Sequence, residues 1–248
     1  MSGHSKWVNI RVKKGKMDAL RGKTFTRLAK EIIAAARAGG GDPNTNIRLR
    51  NAIQKAKEAS MPADNIKRNL MRGTGELEGV QYEEITYEGY GPGGVAILVH
   101  CFTDNRNRTA PEVRSIFRGH AGNLGEAGCV GYLFDHKGIV TLNRTAGDED
   151  TVMMAALEAG AEDVTLDEDI YEVFTLPYDV YVVREALEKA GFAVEDAEVR
   201  MVPQNTVTVT GKEAQQVIKL IDALEEIDDV QDVYSNVDIP DEELAAME

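Results

Sequence analysis

The positively charged side chains of this chain are concentrated near its start. Residues 1–75 contain 17 Lys and Arg against 5 Asp and Glu, a net charge of +12, whereas the other 173 residues contain 11 against 37, a net charge of −26. Ammonium and guanidinium groups at this density attract phosphate oxygens and release the counterions of a polyanion. Because the rest of the chain would be repelled by the same polyanion, the pattern predicts a nucleic acid bound on one side of the molecule.

The candidate contacts are cations of the N-terminal segment, of the first predicted helix and of one later loop. Residues 1–16 have almost no apolar periodicity and are predicted to form a mobile basic arm. The predicted nucleic-acid-binding residues are Lys6, Trp7, Arg11, Lys13, Lys14, Lys16, Arg21, Lys23, Arg27, Lys30, Arg106 and Arg108. Trp7, the only tryptophan, could stack on a base or dock the arm onto the protein, and the sequence does not separate the two.

Four arginines stand within the 13 residues from Arg106 to Arg118, in an otherwise acidic region. The segment Thr103–Thr109 is predicted to join a strand to a helix, with Thr109 as the N-cap of that helix. Turn formation and capping explain the Asp, Asn and Thr residues of this loop but not its arginines. Two interpretations therefore stay open: a structural cap, or a second patch that contacts an anion.

Motifs that would carry catalysis or a cofactor are missing or stand in the wrong context. The segment Gly89–Gly94 matches G-x-G-x-x-G, but a predicted strand follows it where a dinucleotide site needs a helix, and Pro92 favours a turn. The His and Cys residues have no metal-ligand spacing, and no third group is placed to orient His100 and Cys101 for nucleophilic chemistry. We expect no catalytic residue, cofactor, metal or small-molecule substrate, and hence not an enzyme.

Composition indicates a globular cytoplasmic protein. Hydrophobic residues make up 43% of the chain, which is ordinary for a protein that buries a core. There is no run of about 18 apolar residues that would span a membrane, and the N-terminus lacks the apolar segment of a secretory signal. Two cysteines do not form a disulfide framework and suit a reducing compartment.

Helices are predicted throughout the basic region. Their predicted limits are residues 17–37, a helix that opens at Asp42-Pro43, and a short helix from Pro62 to Gly73. In the first helix the apolar residues share one face. Four cations are predicted to form a basic ridge on the opposite side: Lys23, Arg27, Lys30 and Arg37.

From Tyr82 onward the hydrophobic period changes to that of strands. The predicted strands are 82–88, 94–102, 129–135, 138–143, 162–167, 170–176, 193–201, 205–210 and 230–237, and the predicted helices are 109–120, 148–159, 179–190 and 212–226. Residues 138–202 then have the βαββαβ order of a ferredoxin-like unit. When that segment is lifted out, 94–135 and 204–238 give the same order, with strands 129–135 and 205–210 in one sheet.

The predicted fold class is multidomain α and α+β. An N-terminal helical domain is followed by two ferredoxin-like α+β domains, the second inserted into the first. The predicted domains are the basic helical residues 1–78, residues 79–136 plus 203–240, the inserted residues 137–202, and a frayed acidic tail at 241–248.

Many ordered motifs resemble those of one family. They are Gly3-His-Ser-Lys-Trp7, Lys13-Lys14, Arg21-Gly-Lys23, Gly40-Gly-Asp-Pro43, Met61-Pro62, Asp64-Asn-Ile66, Tyr87-Glu-Gly-Tyr-Gly-Pro-Gly-Gly94 and Thr103–Thr109. The chain thereby resembles the YebC family, which includes the mitochondrial translational activator of cytochrome c oxidase subunit I. Val12, Leu20 and Cys129 depart from the family pattern, and the first two weaken the basic patch slightly. The resemblance implies a three-domain fold and a non-enzymatic role in gene expression. Bacterial members are commonly described as DNA-binding transcriptional regulators, and other members act in translation at the ribosome.

Of the two functional hypotheses, a ribosome-associated RNA-binding translation factor is favoured over a DNA-binding transcriptional regulator. A helix-turn-helix reader needs a recognition helix and usually a dimer, but Ser60-Met-Pro62 lacks the usual glycine turn and no zipper is visible. The α+β units also lack the aromatic signature of RNA-recognition motifs. Dispersed cations on an acidic body favour contact with the shape of a structured RNA. An adaptor that binds proteins through its acidic domains is the third possibility.

Overall fold

The computed structural model describes residues 20–79, 82–167 and 169–245. The predicted basic arm lies outside these residues, as do the last three residues of the predicted acidic tail. The sequence predicts a frayed tail, but Asp241–Ala245 form a short helix. The backbone carbonyl of Pro240 accepts hydrogen bonds from Glu243 and Leu244, and Leu244 packs against the neighbouring hydrophobic core. These contacts give the segment a helical turn.

The N-terminal part is a helical module, residues 20–74, made of α1 (Leu20–Gly39), α2 (Ile47–Glu58) and α3 (Ala63–Thr74). The apolar stripes predicted from the sequence meet in one core, where Ile32 and Leu49 are fully buried. Gly73 lets α3 approach α1 closely, because a Cβ at this position would lie 2.6 Å from the Cβ of Ala36. The close packing of α1 on α3 therefore depends on a residue without a side chain.

The second helix begins later than predicted, at Ile47 and not at Asp42-Pro43. Asn46 is its N-cap, since the side-chain oxygen accepts a hydrogen bond of 3.0 Å from the backbone N–H of Leu49. The Asn46 amide group also donates to the carbonyl oxygen of Ala35 over 2.8 Å. The side chain thus caps α2 and ties it to α1, which leaves residues 42–45 as a turn.

The rest of the described chain forms two antiparallel sheets with helices, and a small parallel pair. The bounds are β1 Glu83–Tyr90, β2 Ala96–Thr103, α4 Arg106–Gly119, β3 Asn123–Leu124, β4 Phe134–Asn143, α5 Glu149–Glu158, β5 Asp163–Asp167, β6 Ile170–Thr175, α6 Val180–Lys189, β7 Val194–Pro203, β8 Val207–Thr208, α7 Gly211–Glu225, β9 Val230–Ser235 and β10 Val237–Asp238. The body sheet has the order β3-β1-β2-β9, and the inserted sheet the order β5-β6-β4-β7. Because β9 follows the inserted sheet in sequence but pairs with β2, the second unit is nested in the first.

The inserted sheet has the predicted ferredoxin-like arrangement. Its element order is βαββαβ, its neighbours are all antiparallel, and the first and third strands lie in the middle. One face is covered by α5 and α6, with Leu142, Val173 and Leu187 fully buried between the layers. This unit has its own hydrophobic core.

The body sheet differs from the ferredoxin-like order that was predicted for it. The predicted strands 129–135 and 138–143 are replaced by a single strand, β4, and the predicted strand 205–210 shrinks to Val207–Thr208, which pairs with β10. The neighbours of β2 are β1 and β9. The antiparallel pairing of β1 with β2 runs from Glu83↔Thr103 to Tyr90↔Ala96. The α+β class is confirmed, but the prediction that 129–135 and 205–210 are strands of one sheet is wrong.

Glu88 on β1 explains why residues 129–133 are not a strand. Its carboxylate accepts hydrogen bonds from the backbone N–H groups of Gly128, Val130 and Gly131 at 2.7, 2.8 and 2.7 Å. Burial opposes the charged form, but these bonds lower the pKa of Glu88 below its ordinary value. Backbone donors that point at one carboxylate cannot join a ladder, so the segment forms a turn.

A short ribbon connects the two sheets. Residues 134–137 of β4 pair with 200–203 of β7, whereas β6 begins to pair only at Gly138. Phe134 and Met201 on this ribbon pack on Ala96 and Leu98 of β2. The inserted sheet is therefore attached by hydrogen-bonded strands that lie against the body sheet.

The helix after β2 also begins earlier than predicted. Asn105 is the N-cap, since its side-chain oxygen accepts a 3.1 Å hydrogen bond from the backbone N–H of Arg108, and α4 starts at Arg106. The predicted cap, Thr109, is fully buried within the helix. Its hydroxyl group bonds to a carboxylate from another part of the chain, which a local capping pattern cannot reveal.

We predict that the inserted unit folds independently. The peptide 134–203 should melt cooperatively, because its own core is closed by two helices on a complete sheet. The complementary protein joins Lys137 to Arg200, which are paired across the ribbon, through an Asn-Gly turn. Circular dichroism during urea and thermal unfolding would measure the unfolding transition of the peptide and of the complementary protein. Absence of a cooperative transition in both molecules would mean that the two sheets form one folding unit.

Candidate nucleic-acid interface

Half of the predicted contact residues lie outside the described part of the chain. They are Lys6, Trp7, Arg11, Lys13, Lys14 and Lys16, and they stay predictions. Arg21 and Lys23 fall in the first turn of α1. Arg27, Lys30, Arg106 and Arg108 are described with their side chains. Their surroundings decide whether a phosphate could reach them.

Lys30 is not a free surface cation. Its side chain is buried, and the ammonium group donates to the backbone carbonyl of Asp228 over 2.8 Å and lies 3.4 Å from a carboxylate oxygen of Asp229. Arg27, one turn earlier, forms a 2.5 Å ion pair with Asp232 on β9. The predicted basic ridge of α1 is wrong at these positions, because the ridge faces the acidic body sheet and is neutralised there.

Asp229 is the centre of a buried polar network. Its Oδ2 atom accepts hydrogen bonds from the hydroxyl groups of Thr103 and Thr109 at 3.0 and 2.8 Å and from the guanidinium of Arg108 at 2.7 Å. Burial favours the protonated carboxyl, but these bonds and the charge of Lys30 hold the pKa of Asp229 below its ordinary value. The network joins α1, the end of β2 and the start of α4.

This network favours the structural interpretation of the Thr103–Thr109 loop. Arg108 bridges Asp104 and Asp229, so its charge is used within the protein. Arg106, Arg114 and Arg118 are exposed on α4, and the structure gives none of them an ion pair within the described residues. A contact between this outer face of α4 and an anion stays a prediction that rests on these three arginines.

A cleft of about 800 Å³ separates the helical module from the two sheets. Ion pairs connect its walls: Arg27 with Asp232, Arg48 with Glu84, and Lys55 with Glu198. Arg48 is also paired with Glu31 within the helical module. Burial opposes the charged form of Lys55, but Glu198 raises its pKa. Since four carboxylates and three cations line this cleft, it does not attract a polyanion.

A second and smaller hollow has the opposite character. The α1–α3 groove, of about 300 Å³, is lined by Phe25, Thr26, Ala29, Lys30, Ile33, Met61, Asn65, Arg68, Asn69, Arg72 and Tyr82. No lining residue within the described ranges is Asp or Glu. Arg68 and Arg72 are exposed and make no hydrogen bond or ion pair to another described residue. The α1–α3 groove is therefore a cationic hollow on a protein whose net charge is −14.

The polar residues of the α1–α3 groove come from one stripe of α3. Counted from Asn65, the other members follow at three, four and seven positions, a spacing that places all four on one helix face. They are Arg68, Asn69 and Arg72. The prediction from sequence omits them, because it treats α3 only by its apolar residues. Their spacing is visible in the sequence, but the wall supplied by α1 is not.

The described residues contain neither a cluster of three or more potential metal ligands nor a helix long and apolar enough to cross a membrane. Burial, reinforced by Asp229, raises the pKa of the Cys101 thiol to about 12. A thiol that stays protonated at neutral pH is a poor nucleophile. Cys101 is accordingly one of the buried residues of the hydrophobic core between the body sheet and its helices.

The molecule so described is a multidomain α and α+β protein, and comparison identifies its family. Residues 5–76 match the family model described as TACO1/YebC protein N-terminal domain, and residues 82–237 match the one described as TACO1/YebC second and third domain. The chain belongs to the TACO1/YebC family, which confirms the resemblance seen in its motifs.

Similar proteins cover the chain from end to end. A probable transcriptional regulatory protein from Geobacter sulfurreducens is 59% identical over 244 residues, which are 98% of each chain. Another from Dictyoglomus turgidum is 55% identical over 248 residues, which are 100% of each chain. The crystal structure of a conserved hypothetical protein from Aquifex aeolicus matches with a TM-score of 0.82 and 50% identity, covering 91% of this chain and 93% of that one.

We predict that Asp229→Asn destabilises the protein by about 3 kcal/mol, because it leaves the buried ammonium of Lys30 without its opposite charge. Urea unfolding would measure the change. The matched control is Asp228→Asn, which removes one carboxylate from the adjacent exposed position and should change stability by less than about 0.5 kcal/mol. Equal stability of the two variants would contradict a central role for the network.

The same carboxylate should make stability depend on pH. Because the pKa of Asp229 is lower in the folded protein than its ordinary value of 3.8, the unfolded chain binds the proton more readily. This contribution should be complete above about pH 5 and should disappear as the pH falls through 3.8 and then through the lower folded pKa. Between about pH 5 and pH 3 the Asp229→Asn protein should therefore lose less stability than the unmodified protein. Parallel unfolding curves would contradict the assignment.

Proposed function

We propose that this protein is a non-enzymatic, nucleic-acid-binding regulator of gene expression that acts as a ribosome-associated RNA-binding translation factor in the cytoplasm. One observation carries the proposal. The α1–α3 groove exposes cations without a neighbouring carboxylate in its lining, on a chain whose body is strongly acidic. The groove belongs to the same helical module that follows the cationic N-terminal segment. A polyanion would be attracted to this side and repelled by the rest.

Ion pairs within the protein reduce the number of cations that can bind a nucleic acid. Four cations of α1 and α2 are neutralised by carboxylates of α1, of the two sheets and of the turn before β9. They are Arg27, Lys30, Arg48 and Lys55. Among the cations left for a ligand, those of α3 border a recess, and those of the N-terminal segment, for example Lys13 and Lys14, precede the same module in the sequence. The proposed interface is therefore smaller than the net charge of residues 1–75 suggests.

The geometry of α3 supports RNA as the ligand. A helix that reads duplex DNA projects its side chains into the major groove, and α3 would be that helix if α2 and α3 acted as a helix-turn-helix. Its Asn69, however, is buried beside α1, and Arg68 and Arg72 border a recess. A recess accepts nucleotides that are splayed out of a helix, which is the usual way in which proteins recognise RNA loops and bulges.

A DNA-binding transcriptional regulator is the alternative. It is favoured by the names of the bacterial relatives, which are called probable transcriptional regulatory proteins. Such a protein would bind a discrete operator at least about a thousandfold more tightly than random duplex. The translation hypothesis requires no such sequence and requires association with ribosomes at physiological salt.

We predict that reversing Lys13 and Lys14 to Glu weakens binding to all RNA sequences similarly, because these residues contact phosphates. The log–log slope of affinity against salt should fall by about 0.7 for each phosphate of a single strand that the variant no longer neutralises. In cell extracts the unmodified protein should sediment with ribosomes and the double variant should not. The control is Lys212→Glu with Lys219→Glu, which makes the same charge change on exposed residues of α7. Ribosome association unaffected by the first pair, or a specific operator without ribosome association, would overturn the proposal.

A further inference from the structure

The α1–α3 groove contains an amide group that opens onto it. Asn69 lines the groove, is only 7% exposed, and forms no hydrogen bond to another described residue. Its amide atoms are not among the described side-chain atoms that are fully buried without a partner, so they reach the surface of the groove. An amide group carries both hydrogen-bond donors and an acceptor. The Asn69 amide is therefore placed to pair with a ligand in the hollow.

Two arginines flank this amide on the same face of α3. Arg68 precedes Asn69 directly and Arg72 follows one turn later, so their Cβ atoms are separated by about 6 Å. A guanidinium group can bind a phosphate through two parallel hydrogen bonds, and neither arginine is paired within the described protein. Asn65 adds a second amide one turn before Asn69. The groove thus combines anion-binding groups with amides that can donate and accept.

Two aromatic residues, Phe25 and Tyr82, line the groove. Tyr82 is not available for stacking, because it stacks on Phe102 with 5.0 Å between ring centroids and the ammonium of Lys30 lies 5.7 Å from its centroid. Phe25 packs against the core of the helical module. The polar groups of the groove are those that can distinguish one base from another, through hydrogen bonds and charge. Asparagine amides pair with the edge of a base, and with adenine they can form two hydrogen bonds.

The size of the hollow limits the ligand. A volume of about 300 Å³ is at the lower end for small-ligand sites, which suits one nucleotide and excludes a base pair within a duplex. Unpaired nucleotides in single-stranded loops expose both the base edge and the phosphates.

From this arrangement we infer that the α1–α3 groove binds one unstacked nucleotide of single-stranded RNA, with Arg68 and Arg72 on its phosphates and Asn69 on the edge of its base. The inference rests on the proposed function, since it names the part of the RNA that the same module holds. In this arrangement Asn69 on α3 recognises the base. The proposed phosphate contacts of the N-terminal segment are separate from it.

The test measures fluorescence anisotropy of labelled single-stranded oligonucleotides with the full-length protein. Arg68→Gln with Arg72→Gln should weaken binding by about tenfold or more and lower the salt slope by about 1.4, which is 0.7 for each of two phosphates. Lys67→Gln is the control for loss of a cation from the same helix, because Lys67 is exposed on α3 but lies outside the groove. It should change affinity by less than about threefold.

Asn69→Leu separates base contact from charge. It should reduce the difference in affinity between oligo(A) and oligo(U) by about fivefold or more without changing the salt slope. The thermal transition of each variant, measured by circular dichroism, reports folding. A competitor series with AMP and with hairpin duplex RNA distinguishes an unpaired RNA nucleotide from a free nucleotide or a duplex.

The outcomes separate the inference from the proposed function. If the protein binds RNA but the two groove variants behave like Lys67→Gln, the inference is wrong and the proposed function stands. If the unmodified protein binds no RNA, the proposed function fails and the inference with it. If AMP displaces the oligonucleotide as effectively as oligo(A) does, the ligand is a free nucleotide and not RNA. If the groove variants weaken the binding of duplex RNA as much as that of single-stranded RNA, the ligand is not an unpaired nucleotide. Either result would overturn the inference.

Discussion

The carboxylate of Asp229 is buried at the point where α1, β2 and α4 meet, and it could not stay ionised there without nearby donors. Lys30 supplies the opposite charge from the helical module, and Thr103, Thr109 and Arg108 supply hydrogen bonds from the body. The group therefore joins α1 to the end of β2 and to the first turn of α4. The Ile33 and Ala34 side chains of α1 then pack on Phe102 beside it.

This interaction changes the meaning of the N-terminal charge. The sequence places a large positive charge in one segment, but folding directs part of it toward the carboxylates of the body. Arg27, Arg48 and Lys55 connect the walls of the large cleft instead of lining a free surface. What stays available is selected by geometry: the α3 arginines border the α1–α3 groove, where no described lining residue is Asp or Glu. The proposed RNA interface is thus a consequence of how the module docks.

Much of the fold could be predicted from periodicity, and the failures have physical causes. The inserted sheet follows from alternating apolar residues and compact turns, which are local signals. The predictions that failed concern features with long-range partners. The start of α2 at Ile47 depends on a contact with α1, and the burial of Thr109 depends on Asp229. The uninterrupted strand β4 depends on its pairing with β7. For the site, charge counting found the basic segment but could not show that Lys30 is buried. The stripe of Asn65, Arg68, Asn69 and Arg72 gives a local signal, but only the packing of α1 makes it a recess.

The ribbon formed by residues 134–137 and 200–203 has a consequence for how the boundary between the two sheets can be detected. Proteases cut backbone that can leave its hydrogen bonds and enter an extended active-site cleft. Here the chain passes from one sheet to the other within a paired ladder, and Phe134 and Met201 are held against β2. Brief digestion would therefore spare this junction and cut exposed turns elsewhere, so that the surviving fragments would not correspond to the architectural units. In this protein the boundary between the sheets coincides with one of the more protected stretches of backbone.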